Sequence, residues 1–181
     1  LLPQPPEVVD PVIPDESEEP VSQFTTVDAS YFDDALFLGD SHTDGFHDYA
    51  GLGNATYFTK NGLTVKDAME KSFIELDGKK VTLAEALGTR QFGKVYILLG
   101  INEIGAYTAA DWAAQYKSLL DLVREKQPDA VIFIQSIFHT TQKKSDSSYF
   151  KNEVINERNA AIAQLADGKT NFYLDLNPLF D

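Results

Sequence analysis

The sequence predicts an α/β protein with a five-stranded parallel sheet between helices. Two observations carry this expectation. Short apolar runs ending in glycine or a polar residue alternate with stretches of helical period, the pattern of strand–helix–strand units. The hydrophobic fraction, 43% of 181 residues, is ordinary for a globular domain and too high for a disordered chain.

The elements follow in order. Ala35-Leu36-Phe37-Leu38 ends at Gly39 and reads as a buried strand leading into a turn and a helix. Ala55 to Thr59 is a second strand, and Thr64 to Met69 starts a helix. Ile74 to Val81 alternates around Asp77-Gly78, a hairpin signal. Thr82-x-x-Glu85 is a capping box for a short helix to Leu87. Val95 to Leu99 is a strongly apolar strand closed by Gly100. A long helix opens at Thr108-x-x-Asp111, places Trp112, Tyr116, Leu119, Leu120 and Val123 on one face, and stops at Pro128. Val131 to Ile137 is the next strand, Val154 to Leu165 a helix ending near Gly168, and Phe172 to Leu176 the last strand.

Composition narrows the function classes. There is no cysteine, which excludes a disulfide framework and thiolate chemistry. No apolar run is long enough to span a membrane. The net charge of −13 argues against a nucleic-acid partner. That charge is uneven: residues 1–59 carry twelve acids and no base, whereas the remainder carries 16 acids and 15 bases. The acidic first third makes a strongly anionic substrate unattractive. Residues 1–20 hold six of the eight prolines and six acids, so residues 1–24 read as a stiff linker before a domain over 25–181. Such a spacer, together with a start at Leu1 and not Met, suggests an exported domain.

Ligands of open α/β sheets bind beyond the carboxyl ends of the strands. The first strand is followed by Gly39-Asp40-Ser41, the second by Asn61-Gly62, and the third sheet strand by Gly100-Ile101-Asn102-Glu103. Ser41, at a strand-to-helix turn, suits a nucleophile whose attack creates an oxyanion, because a helix N-terminus supplies N–H groups and positive potential. Each residue also has a plain structural role: Ser41 as a helix cap, Gly62 as a turn glycine, Asn102 as a loop cap. Their coincidence at three strand ends favours the chemical reading.

Phe37-Leu38-Gly39-Asp40-Ser41 resembles the first block of the SGNH, or GDSL, hydrolase family, and Gly100-Ile101-Asn102-Glu103 resembles its third, usually Gly-x-Asn-Asp. Asn61-Gly62 falls at the distance of the second block. The similarity runs from about Asp33 to Asp181 and is close to the short-chain forms found in bacterial exported proteins. It implies the SGNH hydrolase fold, a flavodoxin-like three-layer α/β/α architecture. It also implies a secreted or cell-surface esterase with no metal or organic cofactor. Ser41 would be the nucleophile, with an oxyanion hole made of the Ser41 and Gly62 N–H groups and the Asn102 amide; Asp40 would order the turn. Family breadth suggests a small-molecule or carbohydrate ester substrate, short acyl groups on sugars first and lipid esters second.

The family draws its general base from an Asp-x-x-His motif after the fifth strand, which residues 176–181 do not contain. The base is therefore expected beyond Asp181. Among the three histidines, His42 reads as a solvated neighbour of Ser41, His139 as a weak substitute base after the fourth sheet strand, and His47 as a helix residue about 9 Å along the axis from Ser41. Asp44-x-x-His47 repeats the motif at the wrong place, and a metal cluster of His42, Asp44, His47 and Asp48 is disfavoured because Asp48 leaves the face. Gly51-x-Gly53 is followed by Thr56 where a dinucleotide fingerprint needs glycine. The competing reading is an inactive module of this fold that binds carbohydrate or acts as a scaffold.

Because residues 1–20 lack apolar periodicity, deleting them should leave the melting temperature unchanged in differential scanning calorimetry. A fall of several degrees would show that the segment docks on the domain.

Overall fold

The computed structural model describes residues 25–180, so the linker segment 1–24 lies outside the described residues. Five parallel strands form the sheet: β1 (Ala35–Gly39), β2 (Thr56–Thr59), β5 (Lys94–Leu98), β6 (Val131–Gln135) and β7 (Asn171–Leu174), in the order β2-β1-β5-β6-β7. A separate antiparallel hairpin pairs β3 (Ile74–Leu76) with β4 (Lys79–Val81). Its turn has φ of 50° at Asp77 and 72° at Gly78, the left-handed pair that suits a two-residue hairpin. Without the hairpin the order is flavodoxin-like, as expected for an SGNH-type α/β fold.

All five residues of β1 are buried, which accounts for its unbroken apolar run. The larger core lies on one sheet face. There α2 (Val65–Glu70), α3 (Leu83–Leu87), α4 (Ala109–Lys126) and α6 (Asn152–Ala163) cover Leu36, Leu38, Val95, Ile97, Ile132 and Ile134. Helix α4 buries Trp112, Tyr116, Leu119, Leu120 and Val123, the face its spacing predicted. Its N-cap Thr108 accepts from the Asp111 N–H, and Thr82 and Glu85 of α3 form the reciprocal capping box. A short helix, α5 (Gln142–Ser147), follows β6; its polar residues carry no apolar period.

The opposite face is thinner than helices on both sides would make it. It carries α1 (Ser41–Ala50), a 3₁₀ turn (Ala29–Phe32) and a row of stacked rings running across the strands. Tyr57, Phe37, Tyr96, Phe133 and Phe172 occupy paired positions of neighbouring parallel strands, with Phe37–Tyr96 centroids 4.7 Å apart and Tyr96–Phe133 centroids 4.6 Å apart. Parallel register places like positions side by side, so the rings from Tyr57 to Phe133 stack, and Phe172 at the end of the row is tilted by 30°.

Strand order reverses at β1, whose neighbours β2 and β5 are reached in opposite directions. The crevice of such a sheet opens at the carboxyl end of that strand. Close packing there excludes side chains. A Cβ on Gly39 would meet Thr43 Oγ1 at 2.0 Å, and one on Gly100 (φ 129°) would meet Trp112 Cζ2 at 2.5 Å. Gly100→Ala should therefore combine backbone strain with overpacking and cost about 3 kcal/mol. Calorimetry should show the melting temperature falling by roughly 6–12 °C; an unchanged value would mean the loop after β5 relaxes freely.

Candidate active site

The site grows from the joint between β1 and α1. Asp40, not Ser41, is the N-cap of α1, with extended backbone and a side chain that accepts from the His42 N–H at 2.9 Å. Ser41 is thus released from capping. It is the first helical residue, exposed at the helix N-terminus, where free N–H groups concentrate positive potential.

Asp40 is 1% exposed, and both of its carboxylate oxygens are used. Oδ1 accepts from the His42 N–H and lies 3.2 Å from His42 Nδ1. Oδ2 accepts from Asn102 Nδ2 at 3.0 Å. This bond places Asn102, in the 3₁₀ turn after β5 (Ile101–Glu103), beside the residue next to Ser41. The Asn102 amide also donates to Leu63 O at 3.2 Å, and the Lys60 N–H donates to Gly39 O at 3.2 Å, so the loop after β2 is pinned to both neighbouring strand ends. That loop carries Gly62, whose φ of 72° favours glycine and whose Cα faces open space. Ser41 at the start of α1, Gly62 in the loop after β2 and Asn102 in the 3₁₀ turn after β5 are all exposed, and these bonds tie the three segments together.

The donors differ in availability. Among the described residues, neither the Ser41 nor the Gly62 N–H donates to a protein acceptor. Both hydrogens of the Asn102 amide are committed, to Asp40 and Leu63. An oxyanion at this position would share or displace the longer bond to Leu63.

The histidines occupy three different settings. The His42 side chain is 45% exposed, and its hydrogen bond to Asp40 raises its pKa above the ordinary value against the opposing effect of partial desolvation. His139 follows β6; its Nε2 lies 2.6 Å from Asn156 Oδ1, and its N–H donates to Asn177 Oδ1. His47 stacks on Tyr57 at 4.1 Å, and Asp44 accepts from the Thr59 hydroxyl at 2.8 Å, so neither converges with His42. Among the described residues, no histidine ring hydrogen-bonds to Ser41.

Two hollows meet at His42. A cleft of about 640 Å³ runs between His42, Phe138, His139 and Asn177 at the carboxyl edge of the sheet. An apolar slot of about 240 Å³ lies under α1 between Phe37, Phe46, Leu176 and Phe180.

Sequence reasoning missed two features. It gave Asp40 a role in its own turn only, and it treated Glu103 as a conservative departure. Glu103 is in fact buried, 4% exposed, and accepts from the Val65 N–H and from Trp112 Nε1, each at 3.1 Å. Burial pushes its carboxyl above the ordinary range despite these bonds and the nearby Arg158 charge. The lone signal was an acid in an otherwise apolar stretch.

The sequence profile of the GDSL-like Lipase/Acylhydrolase family matches residues 37–181. No curated protein matches the chain in sequence. Solved structures match in fold. An extracellular lipase from Streptomyces rimosus superposes with a TM-score of 0.58 at 15% identity, over 81% of each chain. An acetyl esterase mutant with acetate ion gives 0.55 at 14% identity, over 80% of each chain. A family two carbohydrate esterase from Clostridium thermocellum gives 0.55 at 13% identity; 79% of this chain is covered, but only 53% of the esterase.

The Asp40–His42 contact has a titration consequence. A histidine whose folded pKa is raised stabilises the fold fully below its unfolded value, near 6.5, and loses that contribution as pH rises through the folded pKa. An NMR titration should place the His42 midpoint above that of a free histidine, and Asp40→Asn should lower it. An unmoved midpoint would show that Asp40 does not govern the ring.

Proposed function

We propose, for a chain that belongs to the GDSL-like lipase/acylhydrolase family, that Ser41 is the nucleophile of an esterase cleaving short acyl esters, with carbohydrate O-acetyl groups as first substrate class and lipid esters as second. The observation that carries this reading is the Asp40–Asn102 bond, which ties the Asn102 amide to the residue before Ser41, while the Ser41 and Gly62 N–H groups meet no acceptor among the described residues. Ser41 Oγ would attack the ester carbonyl, forming the C–O bond of an acyl-enzyme and expelling the alcohol. Water would then release the acid. Preorganised N–H donors favour the tetrahedral oxyanion over the planar ester, and each such donor contributes about 2.7–4 kcal/mol. Asp40 holds the Asn102 amide and, through its two bonds to His42, the first turn of α1.

The proton of Ser41 needs an acceptor. Among the described residues neither the His42 ring, whose Nδ1 meets Asp40, nor the His139 ring, whose Nε2 meets Asn156, hydrogen-bonds to Ser41, so a base from outside residues 25–180 fits the site better than either. The acetyl and carbohydrate esterases of like fold support the substrate class, as does a cleft that mixes Phe138 and Phe180 rings with neutral polar groups. The acidic, proline-rich residues 1–24 support a secreted or surface setting.

The test is hydrolysis of a short-chain aryl ester by residues 1–181 and by the chain with any natural continuation, each beside its Ser41→Ala variant. Oxyanion donors without a base still give about 10³–10⁴-fold over water, so the short form should be weakly active and the continued form strongly so. Ser41→Ala should remove both activities. Turnover that survives Ser41→Ala would overturn the nucleophile, and loss on His139→Ala would assign the base to His139. No turnover of any ester would leave the carbohydrate-binding or scaffold module as the reading.

A further inference from the structure

We propose that Glu103 is a positioning residue that fixes the two loop-borne donors of the Ser41 site relative to each other; this rests on the reading of Ser41 as nucleophile. Asn102 and Gly62 belong to different loops, forty residues apart in sequence. An oxyanion site requires their donors to keep a fixed separation, since misplacement of about 1 Å can cost 10²-fold in rate. Two consecutive residues of the turn after β5 make that link. The Asn102 amide donates to Leu63 O at 3.2 Å, and the Glu103 Oε1 accepts from the Val65 N–H at 3.1 Å. The loop bearing Gly62 is therefore held at both Leu63 and Val65 by one short turn.

Glu103 can act as this link because it is itself immobile. Its second carboxylate oxygen accepts from Trp112 Nε1 at 3.1 Å, which anchors the turn to the buried face of α4. Its backbone oxygen accepts from Arg158 Nη2 at 2.7 Å. Arg158 is fully buried on α6, lies 4.8 Å above the Trp112 ring, and also donates to Tyr107 O at 3.3 Å. A buried carboxylate is costly unless every lone pair it offers is used, and here it meets two N–H donors that would otherwise be orphaned. A glutamine cannot replace it. Its amide group would turn a donor toward either Val65 N–H or Trp112 Nε1–H, so one anchor is lost while size is kept.

The experiment compares the unaltered chain with Glu103→Gln, Ser41→Ala and Tyr116→Phe. Tyr116 donates its hydroxyl to Ile97 O in the same core and packs edge-on against Trp112 but hydrogen-bonds to neither loop, so its variant reports the effect of losing a core hydrogen bond beside the Glu103 anchor. Phenylboronic acid is the probe, because a serine–boronate adduct carries a tetrahedral oxyanion. Calorimetric affinity and amide hydrogen exchange at Val65 are read on each. The expected result is that Glu103→Gln speeds Val65 exchange and weakens the boronic acid by about tenfold or more, since the two donors lose their fixed spacing. Tyr116→Phe should leave the affinity within about twofold while lowering the melting temperature. Faster Val65 exchange with unchanged affinity would make Glu103 a purely structural residue and overturn the proposal. Unchanged Val65 exchange would overturn it too. No binding by the unaltered chain, or equal binding by Ser41→Ala, would overturn the Ser41 reading and this role with it.

Discussion

The buried Asp40 carboxylate at the end of β1 is the interaction on which the rest of the site depends. It follows the last residue of β1 and caps the helix that comes next. It also reaches across to the turn after β5 through Asn102. A carboxylate at a helix N-terminus is favoured by the helix dipole, and one that accepts from several N–H groups can stay buried at small cost. Because Asp40 does the capping, the serine beside it is free to face solvent. Because its far oxygen holds Asn102, a residue sixty-two positions away is tied to the residue before Ser41.

The sheet supplies the reason these residues meet. Reversal of strand order at β1 opens a gap at the carboxyl edge of the sheet, and side chains of the turn after β5 reach the loop after β2 across it. Lys60, Leu63 and Val65 close that gap from one side, and Asn102 and Glu103 from the other. The larger core behind the gap, built on Trp112, Tyr116 and Arg158, gives the turn after β5 a rigid support. The opposite sheet face is built differently. Its aromatic row is covered by α1 and a single 3₁₀ turn, and Leu179 and Phe180 beyond β7 are 74% and 73% exposed.

Much of the fold was legible because it rests on short-range signals. The apolar runs gave five sheet strands, Asp77-Gly78 gave the hairpin, and Thr82 and Thr108 gave two helix starts. The three strand-end motifs singled out Ser41, Gly62 and Asn102, which follow β1, β2 and β5 in the structure. What the sequence could not carry were contacts between loops. Nothing local to Asp40 announces a bond to Asn102, and nothing local to Glu103 announces one to Val65. The helix Gln142–Ser147 escaped because it is polar all round and lacks a periodic face. The asymmetry of the two sheet faces escaped because strands buried on both faces read alike.

The central claim is that Ser41 is the one activated nucleophile of this chain. Reaction with a serine-directed aryl phosphonate, followed by intact-mass measurement and peptide mapping, tests it most directly. The account predicts a single adduct, on the peptide containing Ser41. An adduct on Ser136, Ser145 or another serine, or equal labelling of several, would contradict it.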